Sequence, residues 1–386
     1  MGEQHSYFSV ILIIFAHRQQ GAPMFRKRQT IIISKAGNTL EEMCHDILKQ
    51  AGGEGLLKIV FFCNAANDSE YLQVLGILRS TVESFFVTER PLVSYIAQKP
   101  GGSTLAAEAL YLDDTVASIE RHSRYTLLTR GECKEIITEG IVPSDISTSA
   151  FEQSTEIFST IGDILQKNGF QPSDIYRQWN YIQHITAGFD GGQNYQEFND
   201  ARSIFYAGSD WSNGYPAATG IGTSAGGIMV ELFAIKGYSG PNKPIDNPLQ
   251  VAAHNYSQDV LDGKIVKALQ ERTTPKFERA RLLGNDIFIS GTAAIKGEHS
   301  NLSNDAVEQA TETMEIMDRL VSEENIPVPN EGSTYKFLRV YVKREQDIDA
   351  VANYMEQHYP AVSKHYLVAD ICRPELLIEI EGTAHI

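Results

Sequence analysis

Positive charge is scarce in this sequence. Its 386 residues carry 33 Lys and Arg against 49 Asp and Glu, a formal net charge of −16. No stretch gathers basic residues into a stripe. Such a field repels polyanions, so neither nucleic acid nor an anionic membrane surface is an expected partner. The one basic cluster, Arg26, Lys27 and Arg28, runs straight into the strand-like Thr30 to Ser34 and reads as a solvated hairpin end. Cysteine is also sparse. Cys44, Cys63, Cys133 and Cys372 lie far apart, with no CxxC and no Cys/His pair at metal-ligand spacing. That pattern argues against a metal site and for a reducing, cytoplasmic setting. Long apolar runs are missing too: Tyr7 to Ala16 is about half a membrane span, lacks a basic stretch ahead of it, and is read as a buried strand. Met24 is a second candidate start.

What is present suits a large globular core. The chain is 42% hydrophobic and 21% charged, and long enough for two or three domains. Its main signal is a repeated order of elements. Apolar residues at helical spacing mark a helix from Phe151 to Gly169, with Gly169 at its C-terminal cap. A strand (Ile175 to Ile185), a second helix (Tyr195 to Tyr206), Pro216 and a pair of strands ending in Ile228 to Ile235 follow. The same order recurs as helix Asp305 to Glu323, strand Phe337 to Val342, helix Ile348 to Tyr359, Pro360 and paired strands ending in Leu376 to Glu381. It recurs again as helix Leu40 to Gln50, strand Leu57 to Cys63, helix Tyr71 to Phe86, Pro91 and strands ending in Leu105 to Leu112. Hairpin-like stretches precede the copies at Phe8 to Ser34, Tyr125 to Ile141 and Arg281 to Lys296. Each copy reads ββαβαββ, a sheet with helices on one face, and the fold class is α+β. The expected divisions are 1–115, 124–236, a connector 237–278, and 279–386. Counting from the three prolines, Glu108, Glu231 and Glu379 fall at matching places.

The element order, the Phe198–Asn199 pair, the proline and the IEIEG strand resemble the RidA (YjgF) superfamily, whose members are usually trimers with ligand sites between subunits. Three fused copies look like a single-chain pseudo-trimer. Within that superfamily the chain is more specifically similar to the chorismatases. The resemblance rests on RQWNYIQHI at Arg177 to Ile185, YQEFNDAR at Tyr195 to Arg202, PAATGIG at Pro216 to Gly222, Tyr256, PKFERA at Pro275 to Ala280, ISGTAAIKGEHS at Ile289 to Ser300 and ADICRPELLIEIEG at Ala369 to Gly382. It implies removal of pyruvate from chorismate, a small ring dicarboxylate with an enol ether, without a cofactor. It also implies that Tyr195, Arg202, Tyr256 and Arg279 bind that substrate. Arginine suits a carboxylate because its planar fork donates two parallel hydrogen bonds. From spacing alone, a surface or ion-pair arginine and core-edge tyrosines fit these positions better.

Glu379 alternates with Ile378 and Ile380, so it faces away from them and shares its side of the strand with Glu381. Paired carboxylates raise each other's pKa, which is what an acid working near neutral pH needs. A solvated strand face with both groups ionised fits the pattern equally well. The resemblance decides for Glu379 as the proton donor. Cys372 adjoins Arg373, whose charge would favour the thiolate, although a lone cysteine is more often a small buried hydrophobe. By resemblance, Cys372 with Gly291 marks the branch that forms 3-hydroxybenzoate; the other branch forms a dihydroxycyclohexadienoate. The stretch Ser257 to Thr274 is longer than the family pattern, and the link from Arg279 to Gly291 is shorter. An imine deaminase and a non-catalytic ligand-binding protein of the same fold are the rival readings. A monomer or homodimer is expected, since three copies already close a ring.

Overall fold

The computed structural model describes residues 25–34, 37, 39–113, 118–188, 192–262, 265 and 270–386. The expected strand at Tyr7 to Ala16, and most of the hairpin from Phe8, lie outside them.

Six α-helices form among the described residues: α1 (Leu40–Ala51), α2 (Asp68–Phe85), α3 (Ala150–Lys167), α4 (Asn194–Tyr206), α5 (Ala306–Leu320) and α6 (Ile348–His358). Their starts are set by local chemistry. Thr39 with Glu42 and Ser149 with Glu152 form capping boxes, and the Asp305 carboxylate accepts from the amides of Val307 and Glu308. Gly169 stands one residue past the cap of α3 at φ +75°, with the Phe170 amide on the carbonyl of Leu165, a left-handed ending that suits glycine.

Three main sheets carry these helices. The first orders its strands Lys27–Ile33, Leu105–Leu112, Leu56–Cys63, Leu92–Ala97. The second runs Ala217–Thr223, Ile175–Gln183, Ile228–Lys236, Cys133–Thr138, Tyr125–Arg130, Ser118–Arg121. The third runs Asn242–Ile245, Ala280–Leu283, Asp286–Ala293, Ile378–His385, Thr334–Val342, Ser363–Val368, Lys99–Pro100. In each, the strand between the two helices pairs in parallel with the strand after the second helix and antiparallel with the last strand. The two strands after the proline are therefore not partners, as the sequence suggested, but flank the middle strand. A helical crossover places the first of them in parallel on one side, and the last returns on the other. Asn242–Ile245, from the expected connector, joins the third sheet, as does Lys99–Pro100 from the first expected domain.

Helices cover one face of each sheet, packing Ile47 and Leu78, Ile157 and Phe158, and Met314 and Met317 into three separate cores. The helix-free faces meet each other at the centre, where Leu57, Tyr176, Phe233 and Phe288 form one apolar set and Phe62, Tyr181, Tyr341 and Leu376 another. Charges cross between these faces in a cyclic pattern. Lys58 of the first sheet pairs with Glu231 of the second at 2.9 Å, Arg177 of the second with Glu381 of the third, and Arg339 of the third with Glu108 of the first. Every member is buried. Strand register makes the three acids equivalent: Glu108 lies opposite Val60, Glu231 opposite Trp179 and Glu381 opposite Arg339, each two rungs beyond the same irregularity. Counting from the prolines had aligned Glu379 with Glu108 and Glu231; register corrects this. The counterparts of Glu379 are Ala106 and Met229. Lys27 is a second correction, since its side chain is 8% exposed and lies against Glu135 and Tyr176 of the second sheet rather than in solvent.

Candidate active site

The site lies where the second and third sheets meet. Ile378 and Ile380 enter the core beneath α5, which turns Glu379 and Glu381 to the opposite face. Their surroundings differ sharply. Glu381 receives Arg177, Thr219, Trp179 Nε1 at 3.1 Å, Arg339 at 2.9 Å and Tyr341 at 2.7 Å. All five are donors, the complement of a carboxylate. Glu379 has no hydrogen-bond donor among the described residues and is 4% exposed. Burial pushes its carboxyl from the ordinary 4.5 up to about 8; Glu381 adds to the rise and Arg177 opposes it. One strand thus holds a carboxyl group ringed by donors and, two residues away, one without them whose pKa burial raises.

Gly291 makes room for that acid. A Cβ there would overlap Glu379 Oε1 and stand 3.1 Å from Thr219 Cγ2. The ladder between Asp286–Ala293 and Ile378–His385 shifts between Ile289 and Thr292, so Ser290 and Gly291 form a bulge. The bulge also joins the sheets: the Ala218 amide donates to Ser290 Oγ at 2.9 Å and the Gly291 amide to Thr219 Oγ1 at 3.1 Å.

Around Glu379 is a cavity with about 750 Å³ of unfilled space, part of it open to solvent. Ala218 and Gly220 line one wall with Tyr195 and Asn199 of α4; Gly220 leaves space for the Tyr195 ring, since a Cβ would come 2.7 Å from Cε2. Tyr256, Val260 to Asp262, Phe277 and Arg279 line another, and Cys372 and Arg373 a third. Arg279 donates to Tyr256 OH at 2.7 Å, and its guanidinium lies 5.4 Å from that ring. Arg373 lies 5.5 Å from the same ring and is held by the Glu298 carbonyl at 2.9 Å and Ser300 Oγ at 3.0 Å, both through Nη1.

The structure therefore brings Glu379, Cys372, Tyr195, Tyr256, Arg279 and Gly291 to one cavity. Arg202 is not on its wall; it lies behind Asn199, over the Phe198 ring at 5.3 Å. Of the two readings of Cys372, the neutral thiol is the one its surroundings favour: burial, reinforced by Glu379, pushes the thiol up to about 12, outweighing Arg373. Sequence reasoning passed over Arg373 and Asn199 as cavity residues, although both stand inside quoted segments, beside Cys372 and Phe198 respectively.

A carboxyl whose pKa burial raises, with no hydrogen-bond donor among the described residues and facing a partly open cavity that carries guanidinium groups, is suited to proton transfer on a small molecule. The chain belongs to the chorismatase family. A family described as chorismatase FkbO/Hyg5-like, N-terminal, matches residues 120–234. The 3-hydroxybenzoate synthase of Streptomyces hygroscopicus is 30% identical over 247 residues, 60% of this chain and 68% of that protein. A chorismatase of Streptomyces rapamycinicus is 31% identical over 244 residues, 58% and 68% of the two chains. The crystal structure of a chorismatase superposes with a TM-score of 0.70 at 21% identity, covering 94% of this chain and 99% of that one, and shows the shared fold.

Proposed function

We propose that this protein converts chorismate to pyruvate and a hydroxybenzoate, with 3-hydroxybenzoate the favoured product. The observation that carries the reading is Glu379, its pKa raised by burial and its carboxyl without a hydrogen-bond donor among the described residues, in a cavity whose wall bears Arg279 and Arg373. Chorismate has two carboxylates for those cations and an enol ether whose terminal carbon accepts a proton. Glu379 protonates that carbon. The ring C–O bond then breaks, with its electron pair going to oxygen as the ketone of pyruvate. The neighbouring ring hydroxyl oxygen attacks the vacated carbon and gives up its proton. The three-membered ring so formed opens, its oxygen taking up a proton, and loss of a ring proton makes the arene. No water is consumed, because the atoms of chorismate sum to one pyruvate and one hydroxybenzoate.

In this reading Tyr195, Tyr256, Arg279 and Gly291 shape the substrate pocket, and Cys372, as a neutral thiol, assists aromatisation. The shared wiring of the three sheets and the cyclic charge pairs support three RidA/YjgF-like units fused as a pseudo-trimer, the third sheet taking in Asn242–Ile245 from the expected connector and Lys99–Pro100 from the first unit. The test is incubation of purified protein with chorismate, with pyruvate followed through lactate dehydrogenase and the ring product separated chromatographically. Hydroxybenzoate with equimolar pyruvate, lost in Glu379→Gln, is expected. A dihydroxycyclohexadienoate would overturn the branch, and no pyruvate the activity.

A further inference from the structure

The side chain of Asn199 is 1% exposed, yet it lines the cavity. Its Oδ1 accepts from Nη2 of Arg202 at 2.6 Å. Arginine has only donors, so the atom it touches is necessarily the amide oxygen, and the amide NH₂ must point elsewhere. Among the described residues nothing accepts from that NH₂. Arg202 is itself 1% exposed, its Nε has no partner among the described residues, and its guanidinium packs over Phe198 one residue before Asn199. A buried guanidinium is a costly way to hold one amide in place, unless the orientation it enforces is used.

Resting on the proposed chorismatase reading, we propose that Asn199 is a substrate contact, donating from Nδ2 to an oxygen of the ring diacid, and that Arg202 is a positioning residue acting through it. Arg202 locks the amide with its donor side toward the cavity. Without that lock the amide could turn its oxygen inward, against an anionic substrate.

Two arms test this after wild-type pyruvate release from chorismate has been read; its absence overturns the substrate reading and this contact with it. Asn199→Asp keeps the shape and turns the Arg202 contact into an ion pair, so melting temperature should not fall. It removes the donor and faces the substrate with a carboxylate, so KM should rise at least about tenfold, in line with loss of a hydrogen bond to a charged group. An unchanged KM overturns the proposal. The second arm is a double-mutant cycle of Asn199→Ala and Arg202→Met. Arg202→Met should lower kcat/KM in the parent and change it less than about twofold in Asn199→Ala, while Arg202→Lys, still donor-only, should retain most activity. Losses that multiply would mean that Arg202 touches the substrate itself and would overturn the positioning role. If Arg202→Met does not fold, Asn199→Asp decides alone.

Discussion

Replacing Glu381 by Gln removes a negative charge from the strand face that holds the proposed acid. Two residues along a strand span roughly 7 Å, and at an effective dielectric constant of about 20 two like charges at that distance repel by roughly 2.4 kcal/mol, or about 1.7 pH units. Arg177 loses its carboxylate partner in the same step, which also favours an ionised Glu379. Both effects act downward. If Glu379 must be protonated, kcat/KM for pyruvate release holds steady below its pKa and falls tenfold per pH unit above it. The wild-type limb should then bend near pH 8, and that of Glu381→Gln between about 6 and 7. Arg177→Met should move the bend the other way, because that cation lowers the Glu379 pKa while Arg339 still holds Glu381. Both variants are first shown to be folded by circular dichroism and thermal melting, and rates are measured from about pH 5 to about pH 10. A limb that stays put in both, or moves the same way in both, refutes the assignment of Glu379 as the acid.

Gly291→Ala should cut kcat by displacing Glu379, at a stability cost of about 1–3 kcal/mol read by denaturant titration; Gly140→Ala should cost similar stability with little loss of kcat. All four cysteines are raised, Cys44 and Cys372 to about 12 and Cys63 and Cys133 to about 11, so iodoacetamide at about pH 8 should label the folded protein far more slowly than the unfolded chain, read by intact mass. Glu379→Gln should change the pH dependence of stability in a definite direction. The folded carboxyl titrates at about 8 against 4.5, so the wild type binds the extra proton when folded, and this contribution is complete below 4.5 and lost as pH rises through 8. Above pH 8 the wild type therefore carries a penalty of about 5 kcal/mol that the glutamine variant lacks. The variant should melt higher at about pH 9 and converge with wild type near pH 5.

Element order was readable from the sequence because helical and strand periodicities, caps and prolines are local signals. Pairing was not. The strands after Pro216 looked like partners because they are neighbours in the chain, whereas a parallel crossover separates them by a whole strand. The face of Glu379 followed from its alternation with two isoleucines, but its contrast with Glu381 did not. That contrast depends on Arg177, Thr219 and Trp179, which arrive from another sheet 162 to 204 residues earlier. Lys27 was misjudged for the same reason, as its partners Glu135 and Tyr176 belong to the second sheet. Arg202 and Asn199 sat together in one quoted segment, and only coordinates show which of the two reaches the cavity.

The misalignment of Glu379 also changes what Gly291 means. Register places Gly140 of the second sheet where Gly291 stands in the third. Between the pairs Ile137–Phe233 and Ile141–Val230 the second sheet has one extra residue, as the third has between Ile289 and Thr292. A Cβ on Gly140 would overlap the Met229 sulfur, as one on Gly291 would overlap the Glu379 carboxyl. The first sheet has Ala106 at this position, and its ladder from Ile31 to Ile33 runs without a shift. A long side chain thus occurs with a bulge and a glycine, and a methyl group with neither. The glycine is required first by the length of the residue across from it, whatever that residue does. Met229 fills its space with an apolar chain, while Glu379 fills the same space with an acid. The chemistry of the third unit therefore lies in the carboxyl group and in the cations that face it, and the glycine is the packing condition that lets a carboxyl of that length be there.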